Sequence, residues 1–157
     1  ELFYQLNTAN NLIIGAQGHF IKFKNETFYI ADTTAFGDPI PETNVNTKNN
    51  YYKASGFAQY TLKLPGNKVI LNAGARVDYF SGIKNNTVVS PRLGLSYSVL
   101  PTTTLSASTG IYYQSPEYLW VSAYPMNENL EFIKAYHYVA GIEHLFTPEL
   151  RFSIEAY

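Results

Sequence analysis

Three histidines, His19, His137 and His144, are the first side chains to test for chemistry. A transition-metal site needs ligands spaced so that three or four converge on one point. These three are scattered, and His137 and His144, seven apart on a stretch that reads as a strand, point to opposite faces. There is no Cys, which excludes both a thiolate site and a disulfide. Gly94-Leu95-Ser96-Tyr97-Ser98 lacks the second glycine of a nucleophile elbow and lies in a strand pattern, and no Ser-His-acid set can be aligned with it. Asp32, Asp38 and Glu42 lack the Asp-x-Asp-x-Asp-Gly frame of a calcium loop and read as solvated loop acids. Asn25-Glu26-Thr27 and Asn85-Asn86-Thr87 match glycan sequons, which matter only in a secreted eukaryotic protein. No catalysis, metal or cofactor is expected.

Two other groups are better placed to bind than to react. Arg76 and Asp78 lie two apart on one strand face, and Arg92 takes the same type of face on a neighbouring strand. The plain reading is a ladder of solvated, mutually paired charges. The functional one is a contact for an anionic solute. Tyr112, Gln114, Tyr118 and Trp120 cluster where a strand runs into a long link and offer rings on which a ligand can stack. The same rings, as an interfacial belt, need no ligand at all.

The elements that position these residues are strands. From 102 to 118, TTTLSASTGIYYQSPEY, Leu105, Ala107, Thr109, Ile111 and Tyr113 alternate with Ser106, Ser108, Gly110, Tyr112 and Gln114. Period-2 alternation is the mark of a strand whose faces meet different surroundings. It recurs at 52–64, where Ala54, Ala58, Tyr60 and Leu62 oppose Lys53, Ser55, Gln59 and Lys63. At 68–80, Val69, Leu71, Ala73 and Val77 oppose Lys68, Asn72, Arg76 and Asp78. At 90–99, Leu93, Leu95, Tyr97 and Val99 oppose Ser90, Arg92, Gly94 and Ser96. Residues 150–157 repeat the pattern, 12–23 and 132–145 read as strands with messier faces, and 2–7 as a truncated one. That makes about eight strands. Tight turns at 8–11, 65–67, 101–103 and 147–149 alternate with longer links at 25–50, 82–88 and 115–131. The expected fold is all-β, an antiparallel up-and-down meander with two unlike ends. Residues 37–50, rich in Pro, Asn and Thr, read as a mobile loop.

Composition narrows what such a sheet is for. The 157 residues suit one domain, and a net charge of −1 gives no field to attract nucleic acid. Charged residues are 15%, against about 25% in soluble domains, while aromatics reach 16% with 14 Tyr and 10 Phe. No apolar run is long enough for a transmembrane helix, which leaves strands as the only way across a bilayer. A soluble lipocalin-like barrel turns its apolar face inward, and a membrane barrel turns it outward. Three features favour the membrane: strands of about 10 to 13 residues, a polar face that suits a wet lumen, and aromatics gathered at the strand ends. On this pattern a closed eight-stranded barrel with a structural or adhesive role, or a lipocalin-like binder, remains an alternative.

The stretch VVSPRLGLSYSVLPTTTLSASTGIYYQSPEY, followed by NENLEFIKAYHYVAGIEHLF and LRFSIEAY, resembles the barrel of TonB-dependent outer-membrane receptors. In that family a strand of the type S-P-R-x-G-x-x-Y leads through a short turn to one ending near G-x-x-x-Q-x-P. A loop then ends in N-x-x-L-x-x-x-x-A-x-x-Y before a strand with a central glycine. Those pieces stand here as Ser90, Pro91 and Arg92 with Gly94 and Tyr97, then Gly110, Gln114 and Pro116. Asn127 or Asn129, Leu130, Ala135, Tyr138 and Gly141 complete the series. The resemblance covers about residues 68–157, and the first half fits by pattern alone. Phe132-Ile133-Lys134 stands where the family commonly has Lys-Pro-Glu before its alanine.

The resemblance implies that residues 1–157 are a part of a barrel of about 22 strands. Its plug domain and TonB box would lie outside these residues. It implies a receptor in a Gram-negative outer membrane that binds a scarce solute of the siderophore, cobalamin, glycan or peptide class and imports it with TonB-coupled energy. Its partners would be the lipid bilayer, the plug domain and through it TonB, and the solute, with no nucleic acid. Arg76, Asp78 and Arg92 would then face the lumen and plug, and Tyr112, Gln114, Tyr118 and Trp120 the mouth.

Overall fold

The computed structural model describes the backbone of residues 1–157 and every side chain except those of Tyr29, Thr43, Val45 and Asn67. The chain forms β1 (Leu2–Asn7), β2 (Asn10–Tyr29), β3 (Asp32–Thr33), β4 (Pro39–Ile40), β5 (Thr43–Lys63), β6 (Val69–Phe80) and β7 (Thr87–Leu100). It continues through β8 (Thr103–Gln114), a short helix α1 (Tyr118–Ala123), β9 (Ile133–Leu145) and β10 (Arg151–Ala156). The eight long elements pair in the order β1-β2-β5-β6-β7-β8-β9-β10, and all their pairings are antiparallel. β3 and β4 pair only with each other. The sheet is open: β1 bonds only to β2, and β10 only to β9. The expected meander is therefore present, with its four tight turns between β1 and β2, β5 and β6, β7 and β8, and β9 and β10.

One expectation is overturned. Residues 37–50 do not form a loop, because β5 begins at Thr43 and pairs along its length with β2. Asn25 faces Thr47, Lys24 faces Lys48, and Asn49 lies opposite Phe23. The long link shrinks to residues 30–42, which hold the small β3–β4 hairpin. Two strands of 20 and 21 residues result, about twice what a tilted strand needs to cross a bilayer. Beyond Phe20 and Tyr52 most side chains of this hairpin are polar, so the ladder there is held by backbone hydrogen bonds and not by an apolar face.

Cross-strand register fixes which residues share a face. Leu62, Leu71, Leu95, Ala107 and Ala140 form one continuous row across β5 to β9. Val69, Tyr97, Leu105, Ile142 and Ile154 form another. These rows are solvent-open here: Leu95 is 42% and Ile154 56% exposed. The opposite face carries Asn72, Gly94, Ser108, Arg76, Ser90 and Arg92. Arg76 and Leu71 thus point to opposite sides, as their odd separation requires. An apolar face with no protein layer upon it, backed by a polar one, is the arrangement of a sheet whose outside meets lipid.

The small buried core sits at one end of the polar face. Tyr51, Phe80, Ile83 and Val121 are buried, with Ile21, Phe23, Tyr118, Leu130 and Phe132 packed against them. The links 81–86 and 115–132 fold over this end, and α1 brings Tyr118 and Val121 down onto it. Lys84 ties the links together: its backbone N–H donates to the Glu128 carbonyl at 2.7 Å, and its Nζ pairs with the Glu128 carboxylate at 2.7 Å. No helix among the described residues is long and apolar enough to cross a membrane, which does not bear on crossing by strands.

Candidate functional site: the polar wall and its aromatic rim

The polar wall is built by parity. Residues two apart on a strand share its face, so Arg76 and Asp78 meet directly. Arg76 Nε donates to both carboxylate oxygens of Asp78 at 2.9 Å, and Nη2 donates to Ser55 Oγ at 2.9 Å. The two side chains are 29% and 21% exposed, so the pair is only partly screened by water. Its charge is largely internal. Among the described residues, no carboxylate pairs with Arg92.

Arg92 is held by a ring. Its guanidinium carbon lies 4.5 Å from the centre of the Tyr112 ring, a cation–π distance, and that ring lies 4.4 Å from the imidazole of His137. Arg92, Gly110 and His137 are cross-strand neighbours in one row. A side chain at Gly110 would be crowded. A Cβ on it would stand 3.2 Å from Arg92 Cγ and 3.0 Å from a Tyr112 ring carbon. Beside the ring, Gly74 and Gly94 leave the wall without side chains, and a trough of about 450 Å³ opens between Phe57, Gln59, Asn72, Arg76, Arg92 and Tyr112.

The aromatic rings at the end of the sheet divide between the two faces. Tyr52, Tyr79, Tyr136 and Tyr138 lie on the apolar side and are exposed, where a lipid interface would place them. Tyr51, Phe80, Tyr112 and Tyr118 instead belong to the polar wall and its cap. Tyr118 stacks on Tyr51 at 5.5 Å and meets the edge of Phe80 at 6.0 Å. Lys53 Nζ lies 4.9 Å from the Phe80 ring centre and 4.6 Å from that of Tyr118. Trp120 and Gln114 are exposed. The four rim residues therefore do not form one cluster: Tyr112 stands with Arg92, Tyr118 with the buried rings, and Trp120 and Gln114 face solvent. His137 is the partner of Tyr112 that sequence reasoning missed, since finding it needs the β8–β9 register.

Among the described residues no three His, Cys, Asp or Glu groups stand close enough to hold a metal ion. The arrangement offers ion pairing, stacking and hydrogen bonds, which are the means of binding. The family profile described as "TonB dependent receptor-like, beta-barrel" matches residues 1–157, the whole chain. The chain belongs to the TonB-dependent receptor β-barrel family. This family comprises outer-membrane receptors and transporters, not enzymes. Membrane β-barrels as a class turn an apolar band to lipid and a polar face to the lumen. The family thus accounts for an exposed Leu and Tyr face that a soluble barrel would bury. No curated protein matches the chain.

Proposed function

We propose that residues 1–157 form a sector of a larger transmembrane barrel that binds a scarce solute and imports it with TonB-coupled energy. The observation that carries this reading is the family match over the whole chain, joined to a sheet with an apolar outer face and two unpaired edges. In this reading further strands bond to β1 and β10, and a plug domain and TonB box lie elsewhere in the protein. The solute is of the siderophore, cobalamin, glycan or peptide class. Tyr112, Gln114, Tyr118 and Trp120 serve the mouth, and Arg76, Asp78 and Arg92 face the lumen and plug. The test is uptake by cells carrying the receptor, with ferric siderophores, cyanocobalamin, an oligosaccharide and an oligopeptide as radiolabelled probes. Uptake of one probe that disappears when TonB is deleted is expected. Uptake unchanged without TonB would overturn the energy coupling.

A further inference from the structure

The two lumen arginines are chemically unlike. Arg76 has its guanidinium committed to Asp78 and Ser55. Arg92 has its guanidinium carbon 4.5 Å from the centre of the Tyr112 ring, and among the described residues its N–H donors make no hydrogen bond or ion pair. A cation–π contact uses the charge and not the five N–H donors of a guanidinium, so these can still hydrogen-bond. Tyr112 is itself flanked by His137 and is pinned over Gly110, where no side chain could be added without contact. A cation with no charge partner among the described residues therefore borders a trough of about 450 Å³ whose floor at Gly74 and Gly94 is bare backbone. The other acids of this wall, Glu143 and Glu155, sit toward the far end, where Glu143 faces Thr104 and Arg151. Lys53, a further cation of the wall, is occupied by Phe80 and Tyr118.

We propose that Arg92, with Tyr112 and His137 as its frame, binds an anionic oxygen group of the carboxylate or phosphate class in this trough. The site rests on the reading of this face as the barrel's lumen. A planar carboxylate or a phosphate matches the paired donors of a guanidinium in geometry as well as charge. Two sources could bring that group: a free solute passing the wall, or an acidic side chain from another part of the receptor. Phe57 and Gln59 on the far side of the trough give either one an apolar and a polar contact besides the charge.

Arginine modification by phenylglyoxal, followed by peptide mass spectrometry on the intact receptor in detergent, tests the site without any transport step. A failed uptake experiment therefore leaves this result standing. Arg76, ion-paired, is the internal reference. For a free anion, saturating inorganic phosphate is expected to slow modification of Arg92 about tenfold or more while leaving Arg76 unchanged. For an acid of the receptor itself, Arg92→Lys treated with a carbodiimide is expected to give an amide cross-link between residue 92 and a carboxylate outside β6–β9. Either result supports the site and names its source. Absence of both phosphate protection and the cross-link would overturn it.

Discussion

Arg76 and Asp78, two residues apart on β6, close a bidentate ion pair across their own strand, and Ser55 on β5 accepts a further hydrogen bond from the same guanidinium. The pair spans two strands although its charges belong to one. Substituting Asp78→Asn and Arg76→Gln singly and together should show a coupling of about 1 kcal/mol, modest because the pair is partly solvated. The measurement is the guanidinium unfolding midpoint of the receptor in lipid vesicles. Additive losses would mean that the two side chains do not act as a pair.

The apolar face makes a sharper prediction. Leu95 lies in the row with Leu71 and Ala107, while Ser96, its neighbour in sequence, faces Ser106 on the other side. Leu95→Arg should cost about 2–4 kcal/mol of bilayer stability if this row lies near the midplane. Ser96→Arg, directed into the wall side, should cost far less. Equal costs from equilibrium folding into vesicles would contradict the assigned faces.

Gly15 lies under the Phe57 ring, and a Cβ there would come 2.7 Å from Phe57 Cζ. Gly15→Val should therefore displace the ring and destabilise the sheet by about 1–3 kcal/mol. Phe57→Ala in the same chain should recover part of that loss. A double variant no better than Gly15→Val alone would place the strain elsewhere.

Tyr118 is the peg that fastens the cap to the wall, through Tyr51, Phe23, Phe80 and Lys53. Tyr118→Ala should cost about 1–3 kcal/mol, below the figure for a fully buried ring. The loss should be local. Hydrogen exchange of residues 115–132 should quicken while β6–β8 keep their protection. Uniform loss of protection would show that the cap and the sheet unfold as one unit.

The edges give the last prediction. β1 and β10 each expose a side with unmade backbone hydrogen bonds, and the Leu and Tyr rows are open to solvent. The 157-residue chain produced by itself should sediment as oligomers unless detergent is added. A dispersed monomer in water, with Leu2–Asn7 protected from exchange on both edges, would show that the sheet closes on itself.

How much of this was legible in the sequence depended on where a face was half wet and half dry. From Tyr52 to Leu64 and from Val69 to Phe80, alternation reported both the strand and its sides, because one side meets an apolar medium. From Lys22 to Phe28 and from Asn44 to Asn50 both sides are largely polar, so periodicity vanishes while the backbone ladder continues. That is why the hairpin was expected to end early. Arg92 and Tyr112 could be assigned to one face by parity, but their contact needs Gly110 and the β7–β8 register. Ile83, Val121 and Phe132 carried no pattern, since links that fold back onto a wall have no fixed period.

The overlong β2–β5 hairpin has a consequence for how the molecule meets its surroundings. On β2 the last apolar residue of the lipid-side row below the polar segment is Phe20, and the strand runs on to Tyr29. At about 3.3 Å per residue the hairpin tip stands some 30 Å along the strand beyond that boundary, less when tilted. Physiological salt damps electric potentials over about 8 Å. With headgroups at the level of Phe20, as the proposed barrel would set them, the tip stands roughly two or more damping lengths above them. Their negative charge neither repels nor recruits what arrives there. Encounters at the tip are decided by direct contact, while those at the wall below still feel the membrane's field.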